Sequence, residues 1–123
     1  MLKKAYRLKS NSAFIATYKQ GNIVGDEYFT LYGGRLKEKD SPYSTRFGFV
    51  ISKKIHKRAV KRNRVKRLLR ESIRLSIKNK EAESINKYIS LVFVAKPSSL
   101  ELDFCGTRKS ALGLLNKLAK RTV

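Results

Sequence analysis

Between residues 57 and 78 the apolar residues stop alternating and take up a helical period. At about 100° per residue, Val65, Leu68, Leu69, Ser72, Ile73 and Ser76 share one side, and Asn63, Arg67, Arg70 and Arg74 share the other. A helix divided in this way must press one flank into a core and offer the other to an anion. Residues 53–74 hold eleven basic side chains (Lys53, Lys54, Lys57, Arg58, Lys61, Arg62, Arg64, Lys66, Arg67, Arg70, Arg74) against one acid, Glu71. Arg67 and Glu71 stand i,i+4 and are expected to pair, which leaves ten cations without a local acid. Solubility needs far less charge than this. Six of the eleven are arginines, whose planar fork grips phosphate through two bonds and stacks on bases. The segment therefore reads as a phosphate-recognition surface.

The rest of the chain supports a folded body behind that surface. Lys and Arg number 29 against 9 acids, a formal charge of +20 on 123 residues, yet 41% of the residues are apolar, more than a disordered basic tail carries. The length suits one domain over residues 1–123. A polyanion is needed to relieve the self-repulsion, with nucleic acid as the first candidate and a membrane surface as the second. No apolar run approaches the roughly 20 residues that span a bilayer. The charged start, Met1 to Lys9, has no apolar stretch behind it, so neither export nor membrane association is expected and the cytoplasm is the expected location. Cys105 is the only cysteine, which rules out an internal disulfide and reads as a small apolar filler near a helix start. His56 is the only histidine, and no carboxylate pair, metal-ligand cluster or activated nucleophile is legible, so the expectation is no catalytic residue and no metal held by the protein.

Ser10 is placed to cap a helix running through Gln20, with Gly21 as its left-handed stop; Phe14 and Tyr18 share a face there, with Ile15 beside them. Tyr28 to Leu36 alternates as a strand, Tyr28, Thr30 and Tyr32 against Phe29 and Leu31, with Gly33-Gly34 bending its end. A loop from Lys37 to Ser44, containing Asp40-Ser41-Pro42, leads to a second strand, Thr45 to Ser52, with Phe47, Phe49 and Ile51 on one face. After the basic helix, a charged connection from Lys78 to Lys87 precedes Tyr88 to Ala95, apolar enough for a strand covered on both faces. A last helix, about Asp103 to Arg121, carries Ala111, Leu112, Leu115, Leu118 and Ala119 as its core stripe.

Charge alone does not separate DNA from RNA. Zinc-finger spacing, a basic zipper and a second small helix before the basic one are all absent from the sequence, which favours RNA. Phe14, Tyr18, Tyr28 and Tyr32 offer rings on which unpaired bases stack, with ordinary core packing as the alternative use.

Ile51-Ser52-Lys53-Lys54, followed by Ala59-Val60-Lys61-Arg62-Asn63-Arg64-Val65-Lys66-Arg67-Leu68-Leu69-Arg70-Glu71, resembles the signature of the bacterial ribonuclease P protein component. The Phe14-x-x-x-Tyr18-Lys19-x-Gly21 helix, the Leu31-Tyr32 strand, the Val92 to Lys96 strand and the final helix follow that family's order. The resemblance implies an α/β (α+β) two-layer sandwich, about four strands and three main helices in the order α-β-β-(β)-α-β-α. It also implies a left-handed strand-helix-strand crossover, an exception to the usual hand. It implies the protein subunit of ribonuclease P, which binds a catalytic RNA and the single-stranded 5′ leader of precursor tRNA and assists removal of that leader. Catalysis would then rest with the RNA and its Mg²⁺, with no cofactor on the protein and no obligate protein partner. By position, Arg62, Asn63, Arg64, Lys66, Arg67 and Arg70 would contact the catalytic RNA, and Phe14, Tyr18, Tyr32, Ser52, Lys53 and Lys54 would line a separate leader cleft. Many members carry a glycine in the turn before the basic helix, where this chain has His56-Lys57-Arg58, and often Phe where it has Tyr18. The competing readings are a ribosomal protein and an RNA-recognition-motif domain. The latter is suggested by Arg46-Phe47-Gly48-Phe49-Val50, but that run lacks the glycine after the basic residue and has Ser52 in the closing aromatic's place.

Overall fold

The computed structural model describes residues 2, 4–38, 44–81 and 87–121. Helix α1 spans Asn11–Lys19, strand β1 Asn22–Gly25, β2 Phe29–Gly33, β3 Arg46–Val50, helix α2 Ala59–Lys78, strand β4 Ser90–Ala95 and helix α3 Phe104–Arg121, with 3-10 turns at Lys4–Tyr6 and Pro97–Glu101. Asp40-Ser41-Pro42 and most of the expected connection between Lys78 and Lys87 lie outside the described residues.

The apolar run of β4 takes an inner position, because a strand without a polar face can only be satisfied with neighbours and cover on every side. The sheet order is β1-β2-β4-β3. β4 pairs antiparallel with β2, Leu31 opposite Phe93, and parallel with β3, Phe47 opposite Leu91. A parallel pair needs a crossover rather than a turn, and α2 supplies it.

Alternation then sorts each strand. Leu31, Phe47, Leu91 and Phe93 are buried with Leu69 and Ile73 of α2 and Leu115 and Leu118 of α3 in one hydrophobic cluster. Phe49, half-buried, stacks on Phe93 at the edge of that cluster, centroids 6.1 Å apart. Gly33 belongs to the same face: a Cβ there would meet Leu118 and Tyr88 at 3.1 Å. Burying these apolar surfaces, at roughly 25 cal/mol per Å², is the main term holding the sheet to α2 and α3. To the expected two layers α1 adds a partial third, lying on the opposite face of the sheet.

Several expectations change in detail. β1 has no counterpart in the residue-by-residue reading, although it pairs with β2 from Asn22–Gly33 to Gly25–Thr30. Strand β2 stops at Gly33 rather than Leu36, and β3 runs from Arg46 to Val50 rather than Thr45 to Ser52. In α3 the buried stripe includes Thr107 and Leu114, while Leu112 and Ala119 are half-buried. Ser10 sits at the N-cap of α1 in extended conformation, but its hydroxyl bonds Ser12 Oγ at 2.7 Å and caps no backbone group. Gly21 does take the left-handed conformation, φ +72°. The RNA-recognition-motif reading fails on topology: the Arg46–Val50 strand is the last in the sheet order, and Phe47 is buried in the core rather than offered to a base.

Candidate nucleic-acid interface

Helix α1 crosses the sheet and touches three strands in turn. At its start Phe14 lies over β3, where Gly48 leaves room: a Cβ on Gly48 would stand 2.6 Å from Phe14 Cζ. One turn on, Thr17 and Ser90 of β4 share a buried hydrogen bond between hydroxyls, 2.6 Å long. Beside it Tyr18 meets Tyr32 of β2 edge to face, centroids 4.8 Å apart and planes at 73°. Burial, and then the neighbouring Tyr32, raises the pKa of Tyr18 above its ordinary value. Phe14, Tyr18 and Tyr32 are all half-buried, so each keeps part of its ring accessible while packing fixes the rest. Ser52, Lys53 and Lys54 follow β3 in a turn closed by Ile55 N–H donating to Ser52 O at 3.1 Å, and all three are exposed.

Helix α2 starts at Ala59, two residues later than expected, with Arg58 extended at the N-cap. No glycine is needed before it, because His56 Nδ1 accepts the Arg58 N–H at 3.0 Å and φ stays negative there. Val65, Leu69, Ser72, Ile73 and Ser76 are buried as the periodicity requires, and Leu68 is half-buried. Asn63 and Arg67 are exposed; Arg62, Arg64, Lys66 and Arg70 are half-buried. Glu71 pairs with Arg74, whose Nε donates at 3.0 Å, and not with Arg67 as the spacing suggested. The i,i+3 partner wins the acid, so Arg74 is neutralised and Arg67 is left without an ion pair among the described residues. Nε of Arg62 and Nε of Arg70 are shielded from water without a hydrogen-bond partner. Burial, then the neighbouring Arg7 charge, lowers the pKa of Arg70 from its ordinary value. An N–H left unpaired at such a place costs about 1–3 kcal/mol, more on a charged group.

The two residue sets expected to form separate sites meet at the edge of the sheet. A cavity of about 280 Å³ is lined by Phe14 from α1, Phe49 and Gly48 from β3, Lys66 and Arg70 from α2, and Arg7 and Lys9 from the N-terminal segment. Arg7 and Lys9, part of the charged start, are not among the site residues expected from the sequence. They arrive because the segment runs along β3, with Leu8 N–H donating to Phe47 O at 2.8 Å, a long-range pairing that no local pattern announces. Cys105 is exposed rather than the apolar filler expected. Among the described residues no three His, Cys, Asp or Glu side chains converge as metal ligands.

A cationic helix face and a row of half-exposed rings, joined through a pocket lined by four cations, define a surface of the nucleic-acid-binding class. The comparisons with known proteins narrow this. A family model described as Ribonuclease P matches residues 2–119. The ribonuclease P protein component of Clostridioides difficile is 40% identical over 115 residues, covering 94% of this chain and 90% of the relative. That of Symbiobacterium thermophilum is 33% identical over 116 residues, covering 94% and 93%. Among solved structures, the Staphylococcus aureus RNase P protein superposes with a TM-score of 0.74 at 29% identity, covering 95% of this chain and 97% of that one. The Thermotoga maritima protein gives 0.69 at 29% identity, covering 90% and 96%. The chain belongs to the ribonuclease P protein component family, a subunit of the holoenzyme that cleaves tRNA precursors, and its partner is the RNA subunit.

Proposed function

We propose that the outer face of α2 docks on the catalytic RNA while the recess beside α1 holds the single-stranded 5′ leader of precursor tRNA. The observation that carries this is the basic outer face of α2, where Asn63 and Arg67 are exposed, Arg62, Arg64, Lys66 and Arg70 half-exposed, and the helix's one acid, Glu71, is taken by Arg74. Phe14, Tyr18 and Tyr32 supply ring surface for leader bases, with Ser52, Lys53 and Lys54 at hand for the leader's phosphates.

Hydrolysis of the phosphodiester bond is assigned to the RNA subunit and its Mg²⁺. Mg²⁺ wants several oxygen ligands in octahedral array, and this surface presents ammonium and guanidinium groups, which repel it. The protein's part is to raise affinity for substrates that carry a leader. No helix among the described residues is long and apolar enough to cross a membrane. We place the subunit in the cytoplasm, working without an obligate protein partner.

The protein alone is expected to leave precursor tRNA intact, and addition of a bacterial ribonuclease P RNA to produce cleavage at the mature 5′ end. In the assembled enzyme, Tyr18→Ala weakens binding of precursor but not of mature tRNA, by about 1–3 kcal/mol for one lost stacking contact. Equal weakening of both tRNAs sinks the leader assignment, and cleavage by protein alone sinks the division of labour.

A further inference from the structure

Because α1 lies across the sheet, it divides that face in two. Phe14 and Tyr18 project to one flank, and Ala13, Ala16 and Gln20 to the other. On this second flank a pocket of about 530 Å³ opens over the start of β4 and the end of β2, with Ala13, Ala16 and Gly34 among its lining residues, Ile89 beside them and Arg35 and Arg46 contributing the cations. We propose that this pocket binds a nucleotide of the RNA subunit, its phosphate held by Arg35 and Arg46 and its sugar or base against the apolar wall. The proposal rests on the reading of α2 as the face that meets the catalytic RNA.

The chemistry selects the ligand. Arg35 and Arg46 are exposed, and among the described residues neither has an ion pair or a side-chain hydrogen bond, so their donors remain available. Ile89, 44% exposed, forms with Leu8, Ala13 and Ala16 the apolar wall of the pocket. Two unpaired guanidinium groups beside a small apolar wall suit a ligand with one anionic and one flat apolar end, and the volume is in the range that holds a single small molecule or nucleotide. The backbone keeps the pocket open: a Cβ on Gly34 would collide with Ser90 Oγ, the hydroxyl that anchors α1 through Thr17.

Continuity selects the source. Leu8 lines both this pocket and the 280 Å³ cavity that holds Lys66 and Arg70. An RNA strand following α2 thus reaches Arg35 and Arg46 by rounding the start of α1. A leader seated at Tyr18 and Tyr32 is separated from the pocket by the body of a helix about 10 Å thick.

The test compares Arg35→Ala with Arg46→Ala as a double variant against a control of equal charge loss, Lys109→Ala with Lys120→Ala, two exposed residues of α3 away from the pocket. Affinity for ribonuclease P RNA is measured between about 0.05 and 0.2 M salt. Losing two phosphate contacts lowers the slope of log K against log salt by roughly 1.4–1.8, so the double variant loses about sevenfold to twelvefold less affinity across that range than the unmodified protein. Precursor and mature tRNA should be discriminated as before. A slope no different from the control's overturns the proposal, and so does intact RNA-subunit affinity with lost discrimination, which assigns the pocket to the leader. Lys66→Ala with Arg67→Ala, measured alongside, separates the two levels: if that variant binds the RNA subunit normally, the α2 reading itself fails and takes the pocket with it.

Discussion

Thr17 carries a single hydroxyl hydrogen, and it is given to Ala13 O at 2.8 Å. In the 2.6 Å bond to Ser90 Oγ, Thr17 must therefore accept and Ser90 must donate. Both residues are buried, 1% and 6% exposed. Thr17→Val keeps the shape but leaves the Ser90 hydroxyl without an acceptor in a dry place, which costs about 1–3 kcal/mol. Ser90→Ala removes the donor and leaves Thr17 still bonded to Ala13, so it costs only about 0.5–1.5 kcal/mol. In the double variant no stranded hydroxyl remains, and the loss should fall short of the sum by about 1 kcal/mol. Urea unfolding of the four proteins reads these differences directly, each kcal/mol also moving Tm by roughly 3–6 °C. Because the bond pins the helix that bears Phe14 and Tyr18, Thr17→Val should also erode preference for precursor over mature tRNA. Equal costs for the two single changes, or strict additivity in the double, would refute the donor assignment and the reasoning built on it.

Gly48→Ala places a methyl 2.6 Å from Phe14 Cζ, so the ring must retreat by about 1 Å to reach ordinary contact. Phe14 is half-buried, so the ring can give way toward solvent at a cost of about 1–3 kcal/mol, while precursor affinity falls and mature tRNA affinity holds; unchanged precursor affinity would count against Phe14 as a leader contact. Glu71 is held below the usual carboxylate range first by the hydrogen bond from Arg74 and next by its charge, with burial opposing. The folded value is the lower one, so the pair stabilises above the ordinary pKa of about 4.3 and that contribution is lost on acidification below it. Glu71→Gln should flatten the fall in urea midpoint between about pH 5 and 3 and, by releasing Arg74, tighten RNA-subunit binding with a steeper salt slope. An unchanged acid limb, or weaker binding, would count against it.

What was readable from the chain follows the range of the forces involved. Helix α2, with its buried stripe from Val65 to Ser76, was legible because a helix's neighbours are fixed by sequence spacing. So was the inner place of β4, since six residues without a polar face leave no other option. Strand β1 escaped because four residues between Gly21 and Asp26 are too short to show a period, and its pairing depends on β2. The partner of Glu71 was misread because i+3 and i+4 are both within reach on a helix, and rotamer geometry decides between them. The pocket joining Phe14 to Arg70 was invisible for a different reason. It needs the N-terminal segment to lie along β3 and a missing Cβ at Gly48, two facts of tertiary approach that composition does not encode.

Each outer strand of the sheet has part of its edge covered. On the β1 side, Lys117 Nζ reaches Gly25 O at 3.1 Å and Arg121 bonds Ile23 O, while on the β3 side the Arg7–Leu8 segment occupies the ladder. Among the described residues, part of each edge is thus blocked against the edge-to-edge pairing that exposed strands invite. On the β1 side the cover is made by cations, so Lys117 and Arg121 spend their charge on backbone carbonyls of the sheet's own rim.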